Sequence, residues 1–313
     1  MDAEDRELFD RSLRHATAAH TGEDLDAELD ELGWGDALAV DPEAAVALLF
    51  EHQGFANATS TGLDRVLTEA LGAHPDAMVL PALGRTDPPG DGATVRGLGT
   101  ATMRRAKTAA VVTTADGAGL RILRVDAAQL ELRPVDGIDP ALGLVEVTGD
   151  AQGVEATPLD RAHWEGGVAA GQRALAHELV GASRAMLGLA REHAVERIQF
   201  GVPIASFQAV RHKLAESFVA VEAAAAALDA AWLDGSPLAA ALAKAIAGRN
   251  GRTVARHAQQ VLAGIGFTTE HDLHKYLRRT YALDGLLGDA RSLTIELGEQ
   301  LLTSRQVPSL LPL

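Results

Sequence analysis

Glu196-Arg197-Ile198-Gln199-Phe200-Gly201-Val202-Pro203-Ile204, with Phe207-Gln208 close behind, interrupts a stretch that is otherwise helical in pattern. Upstream, Leu175, Leu179, Ala182, Met186, Leu189, His193 and Arg197 step by three or four residues. Downstream, Val210, Leu214, Phe218, Val221, Ala225, Leu228 and Trp232 do the same. Such spacing puts each set on one face of a helix. Two more stretches of this kind run from Pro237 to about Leu262 and from Asp272 to about Thr303. Four amphipathic helices with short connections predict an antiparallel four-helix bundle over residues 159–313.

Before the bundle the pattern changes twice. Residues 76–158 hold short β-rich runs: Met78–Leu80, Ala109–Thr114, Leu120–Val125, Leu130–Pro134 and Leu144–Thr148. Turn residues part them, among them Pro88-Pro89-Gly90, Asp116-Gly117 and Asp136-Gly137, so a small antiparallel β-domain is expected. Residues 1–75 read as helices: a polar one with Leu8, Leu13 and His15, then a short one from Glu28 to Gly33. Asp41 before Pro42 is a helix start, and Leu63, Val66, Leu67 and Leu71 form a last apolar face up to Gly72. Helices, then strands, then helices imply three sequential domains in a mainly α fold rather than a βαβ repeat.

Composition bounds the function. The 313 residues are 47% hydrophobic but only 4% aromatic, as suits close-packed helices. A formal net charge of −15 speaks against nucleic acid as a partner. No run of 18 or more apolar residues is free of charge, so no membrane span is expected. There is no cysteine, hence no disulfide, thiolate metal site or cysteine nucleophile. His271 and His274 lack a third ligand for a metal, and Ser60, Ser183 and Ser206 lack a nucleophile-elbow context. The expectation is a soluble cytoplasmic protein.

A second stretch, Gln260-Val261-Leu262-Ala263-Gly264-Ile265-Gly266-Phe267-Thr268-Thr269-Glu270, precedes Leu277-Arg278-Arg279. Together the two resemble the acyl-CoA dehydrogenase patterns R-x-x-F-G-x-x-x-x-x-x-Q and Q-x-x-G-G-x-G-F, in the family's order and spacing. The resemblance implies an N-terminal helical domain, a middle β-domain and a helical bundle. It also implies FAD as cofactor, with Arg197, Phe200, Gln208, Gln260, Gly264 and Gly266 reaching the ADP half of a neighbouring subunit's flavin. The residue types suit that role. An arginine can fork onto a pyrophosphate oxygen pair. Gln208 offers both a donor and an acceptor, and the Gly264-Ile265-Gly266 turn allows close approach of backbone N–H groups. Taken singly, each has a plainer reading, as a solvated charge, a packed ring or a helix C-cap.

The chain departs from the family in the middle domain and at the catalytic base. The flavin-ring motifs T/S-E-P-x-A/G-G-S-D and W-I-T/S give way to Val79-Leu80-Pro81-Ala82-Leu83-Gly84-Arg85-Thr86-Asp87 and Thr102-Met103-Arg104-Arg105-Ala106-Lys107. The family's glutamate positions fall on Leu287 and on Gly171-Gln172, none of which is an acid. A leucine cannot take an α-proton. Asp289 and Glu178 are the nearest substitutes, each with a structural reading beside the catalytic one. This combination resembles the short subunits of heterotetrameric acyl-CoA dehydrogenases of actinobacterial steroid side-chain degradation. It implies a longer partner subunit in an α2β2 assembly, an acyl-CoA substrate, and electron-transfer flavoprotein as acceptor. Two alternatives stand beside it: a self-sufficient homo-oligomer with a relocated acid, and a structural subunit that binds no flavin.

Overall fold

The computed structural model describes residues 1–115, 119–152 and 154–305. Five helices come first: α1 (Ala3–Ala19), α2 (Glu23–Glu31), α3 (Trp34–Val40), α4 (Pro42–Ala56) and α5 (Gly62–Ala70). Asp41 caps α4 as expected, its carboxylate accepting from the Ala44 N–H with Pro42 in the first turn. The expected helix from Glu28 to Gly33 begins earlier, at Glu23, and Gly33 turns the chain with φ +68° into α3. Only Trp34 and Leu38 of α3 are buried, too few to give a readable period.

Eight strands follow: β1 (Ala77–Met78), β2 (Gly90–Asp91), β3 (Thr94–Gly99), β4 (Thr108–Thr114), β5 (Leu120–Asp126), β6 (Glu131–Pro134), β7 (Val145–Asp150) and β8 (Ala156–Leu159). They form one sheet in the order β6-β7-β3-β2-β4-β5-β8, with β1 also on β4. The sheet is mixed, which corrects the antiparallel expectation. Ala77 and Met78 pair parallel to Ala109 and Ala110, and Gly90 and Asp91 pair parallel to Thr113 and Thr114. The chain lays two tiny strands in tandem along one edge of β4, and two residues are too few to show alternation. Gly90 therefore opens a strand instead of ending a turn. Asp116-Gly117 lies outside the described residues, while Asp136-Gly137 does separate β6 from β7.

The remaining chain forms α6 (Arg161–Glu196), a small hairpin of β9 (Ile198–Gln199) and β10 (Val202–Pro203), then α7 (Gln208–Asp234), α8 (Pro237–Leu262), α9 (Leu273–Gly285) and α10 (Ala290–Ser304). The expected four helices are five, because the last stretch breaks at Leu286–Asp289. Leu287 and Gly288 take φ +53° and +92°, and Asp289 restarts the helix with a reciprocal capping box to Ser292. The α6 helix is buried along most of its length and packs on α4, α7, α8 and α9. Its crossing with α4 is very close. A Cβ on Gly54 would overlap the Glu178 carbonyl oxygen, and one on Gly181 would overlap that of Glu51. One continuous core joins the first helices, one sheet face and the bundle, while Val79, Val111, Leu123, Val125 and Val147 fill the opposite sheet face.

At the centre of this assembly lies Arg279 on α9, with no exposed surface. Its Nε donates to Asp139 Oδ2 at 2.6 Å, Nη1 to the Ala58 carbonyl at 2.6 Å and to Glu178 Oε1 at 3.3 Å, and Nη2 to Thr59 Oγ1 at 3.1 Å. Gln53 donates to the other Glu178 oxygen at 3.0 Å, and Ser60 donates to Gln53 at 2.6 Å. Burial pushes the Glu178 carboxyl above its ordinary value, against the pull of Arg279. One guanidinium thus ties three regions of chain together. Arg279→Met leaves Asp139 and Glu178 buried without a cation and is expected to lower unfolding stability by about 3–5 kcal/mol in urea denaturation. A loss below about 1 kcal/mol would show the charges to be solvated instead.

Candidate functional site

Because α6, α7 and α8 run antiparallel with short joints, the C-terminus of α6, the N-terminus of α7 and the C-terminus of α8 share one end of the bundle. The first motif spans the α6–α7 joint and the second closes α8, so topology alone brings them together. Arg197 is the residue that ends α6, its N–H donating to the His193 carbonyl at 2.9 Å. Gln208 opens α7, and Gln260 lies near the end of α8. All three are exposed, and their side chains make no hydrogen bond or ion pair among the described residues.

Between them project aromatic rings. Phe200 and Gly201 form the two-residue turn of the β9–β10 hairpin, with φ +54° and +79°. A turn with both φ values positive favours Asn-Gly, and a phenylalanine there is strained. Phe200 is 93% exposed, meeting only Phe207 edge-on with ring centres 6.1 Å apart. Phe267, closing the second motif, is 74% exposed. Ala263 takes φ +52° and ψ −131°, a conformation that suits glycine, at the position where the family pattern has one. The two glycines of the second motif differ. A Cβ on Gly264 would meet nothing within 4 Å, whereas one on Gly266 would lie 2.9 Å from the Leu262 Cβ and 3.1 Å from the Gln259 oxygen. Internal packing accounts for Gly266 and leaves Gly264 open to an outside group.

The positions of the family's base lie elsewhere, and they touch each other. A Cβ on Gly171 would overlap the Leu287 Cδ1 and lie 2.9 Å from the Leu67 Cδ2. Leu287 is buried, and its carbonyl accepts from Gln172 Nε2 at 3.0 Å. Lys244, also fully buried, holds the same turn by donating to the carbonyls of Asp284 at 3.0 Å and Gly288 at 3.2 Å. Burial pulls its ammonium down to about 8. Both substitute acids have structural partners: Glu178 sits in the Arg279 network, and the Asp289 carboxylate accepts from the N–H groups of Arg291 and Ser292. The segments in place of the flavin-ring motifs begin in the core and run out to the surface: Val79, Leu80, Thr102 and Met103 are buried, whereas Leu83, Arg85, Asp87, Arg104 and Lys107 are exposed. Among the described residues there is no metal-binding cluster, and no helix is long and apolar enough to cross a membrane.

Comparison with known proteins agrees with this geometry. Residues 168–301 match the family "Acyl-CoA dehydrogenase, C-terminal domain". A steroid ACAD, the Tcur3481-Tcur3483 G363A variant, superposes with a TM-score of 0.83 over 96% of this chain and 99% of its own, at 22% identity. The bundle is thus similar to that C-terminal domain, and the chain has the acyl-CoA dehydrogenase fold. The ChsE4-ChsE5 complex from Mycobacterium tuberculosis gives a TM-score of 0.77 at 19% identity, covering 99% of each chain. Acyl-CoA dehydrogenase IpdE2 of the same species is 39% identical over 117 residues, which cover 37% of this chain and 37% of the relative. Sequence reasoning missed Arg279 and Lys244 as buried ions, since a charged residue on a helix carries no signal of its burial.

Two outcomes follow from these placements. Phe200→Asn relieves the turn and is expected to stabilise the isolated chain by about 1 kcal/mol in thermal unfolding; a destabilised variant would mean the ring packs within its own chain. For Lys244, the folded group loses its proton near pH 8 while the unfolded one keeps it to about 10.5. The unfolded state then binds more protons in that window, so stability rises with pH. Relative to Lys244→Met, the native chain should gain on the order of 3 kcal/mol from pH 7.5 to 10.5. A flat difference would mean that the lysine stays charged.

Proposed function

We propose that this chain is a subunit of an FAD-dependent acyl-CoA dehydrogenase complex, completing the ADP half of a cofactor whose reactive ring and catalytic glutamate lie on a longer partner subunit. The observation that carries the reading is the filled base position, where Leu287 occupies the space beside Gly171. Neither place carries a carboxylate, and in the segments that replace the flavin-ring motifs Val79, Leu80, Thr102 and Met103 are turned into the core. The opposite holds at the bundle end, where polar groups are exposed and unpaired.

In this reading Arg197 forks onto a diphosphate oxygen pair, and Gln208 and Gln260 meet the ribose or adenine edge. Gly264 lets its backbone close on a phosphate, and Phe200 seals the contact from water. When bound, FAD supplies the hydride acceptor for α,β-dehydrogenation of an acyl-CoA thioester, with the partner's glutamate taking the α-proton. Electron-transfer flavoprotein would reoxidise the complex. An α2β2 assembly fits the heteromeric nature of the ChsE4-ChsE5 complex, and a steroid side-chain CoA ester fits the description of Tcur3481-Tcur3483 as a steroid ACAD. The three domains would divide at 1–75, 76–158 and 159–313, in a cytoplasmic enzyme.

Expression of the chain alone, then with a longer acyl-CoA dehydrogenase subunit, tests the proposal through flavin absorbance. The chain alone should be colourless and the complex yellow. Stoichiometric flavin in the chain alone would overturn the reading. In the complex, Arg197→Ala should weaken FAD retention more than ten-fold, the loss of one charge-assisted hydrogen bond of about 1.5–3 kcal/mol. Unchanged retention would remove the ADP role.

A further inference from the structure

His193 stands one helical turn before Arg197 on the same side of α6, where residues four apart are neighbours. Its ring nitrogens make no hydrogen bond or ion pair among the described residues, and it is half-buried. Near it on α6 lie Glu192, Glu196 and Arg197, and across from it lies His271, which follows the second motif. Beyond His271, Asp272 pairs with Lys275 at 2.8 Å, and His274 Nδ1 lies 2.9 Å from the His271 carbonyl.

The two facing histidines are not equivalent. His271 Nδ1 accepts the Leu273 N–H at 3.1 Å, so its own proton sits on Nε2 and a second proton would break that bond. His193 has no such lock and can gain a proton without losing a bond. Burial, then the His271 and Arg197 charges, hold it below its ordinary value, with Glu196 opposing. An anion on Arg197 would reverse the sign of the nearest field.

We propose that His193 is a second, proton-linked contact for the diphosphate at this bundle end, binding one proton as the ligand binds beside Arg197. The inference rests on the dinucleotide reading given above and adds residues and a pH dependence to it. Affinity rises as pH falls, because proton uptake coupled to binding makes protons favour the complex. Histidine is suited to this because its ordinary titration falls between pH 5 and 8.

The test is calorimetric titration of the purified chain with ADP-ribose, whose diphosphate diester keeps its charge across this range. Measurements at about pH 6 and about pH 8, in buffers of different ionisation enthalpy, give affinity and proton count together. The native chain should bind at least about five-fold tighter at the lower pH and take up protons. His193→Gln should abolish the uptake and most of the pH dependence, with unchanged melting temperature and near-native affinity at the higher pH. Arg197→Ala should weaken binding at both. Binding that needs Arg197 but keeps one pH profile in native and His193→Gln chains overturns this inference and leaves the dinucleotide reading standing. Binding indifferent to Arg197→Ala overturns the dinucleotide reading at this end, and the His193 contact with it. No binding to the chain at about 1 mM ligand, a limit near −4 kcal/mol, overturns this inference and leaves the shared-cofactor reading to the flavin test of the complex.

Discussion

Arg279 is the constraint on which the rest of the structure depends. Burying a guanidinium requires that nearly all of its donors be met, and here they are met by Asp139 from the segment after β6, Ala58 and Thr59 after α4, and Glu178 on α6. A buried ion pair is weak evidence for extra stability, since desolvation consumes much of the attraction. Its value is geometric. Charges so placed tolerate little displacement, so the α9 helix, the sheet region and the first helices hold one relative arrangement. The reciprocal glycine crossing at Gly54 and Gly181 then becomes possible, because α4 and α6 are brought to backbone contact.

That rigidity has a consequence for the two places where chemistry was sought. Inside the protein, Leu67 and Leu287 fill the face of Gly171, and Glu178 is held in the ionic centre. At the bundle end the same scaffold fixes Arg197, Gln208, Gln260 and Phe200 without satisfying them. Preorganised groups that meet no partner in their own chain lose little entropy when a ligand or a subunit arrives.

Much of this was legible in the sequence, and the parts that were not have physical reasons. The long helices announced themselves because each buries a stripe of side chains at helical spacing. The break at Leu286–Asp289 did not, since Leu287 continues the apolar pattern while its backbone turns to positive φ. The cause is Lys244, far away in sequence, whose ammonium takes the Asp284 and Gly288 carbonyls. The strands β4 and β5 were read from their β-branched runs and β1 was met at Met78, but β2 and β8 are short, and β3 carries two glycines, so their identity comes from pairing partners. At the site, Arg197 and Gln208 were legible from residue type and spacing. Glu178 was not separable from a catalytic acid until its partners were known. The reason for Gly266 was not legible either, because its contact with Leu262 and Gln259 exists only in the folded turn.

The two kinds of glycine and leucine carry the argument further. Burying a leucine side chain such as Leu287 contributes about 1.5–3 kcal/mol to folding, whereas an unpaired carboxylate in the same dry space would cost stability. Filling that position therefore favours the chain's own folding at the expense of any reaction there. Phe200 does the reverse. A ring at positive φ, exposed on a hairpin tip, gives its own chain a strained turn and little burial. The molecule thus bears a local penalty at the bundle end and a local gain at the base position. That distribution is the one expected of a chain stabilised as a scaffold, whose unmet groups act on something beyond itself.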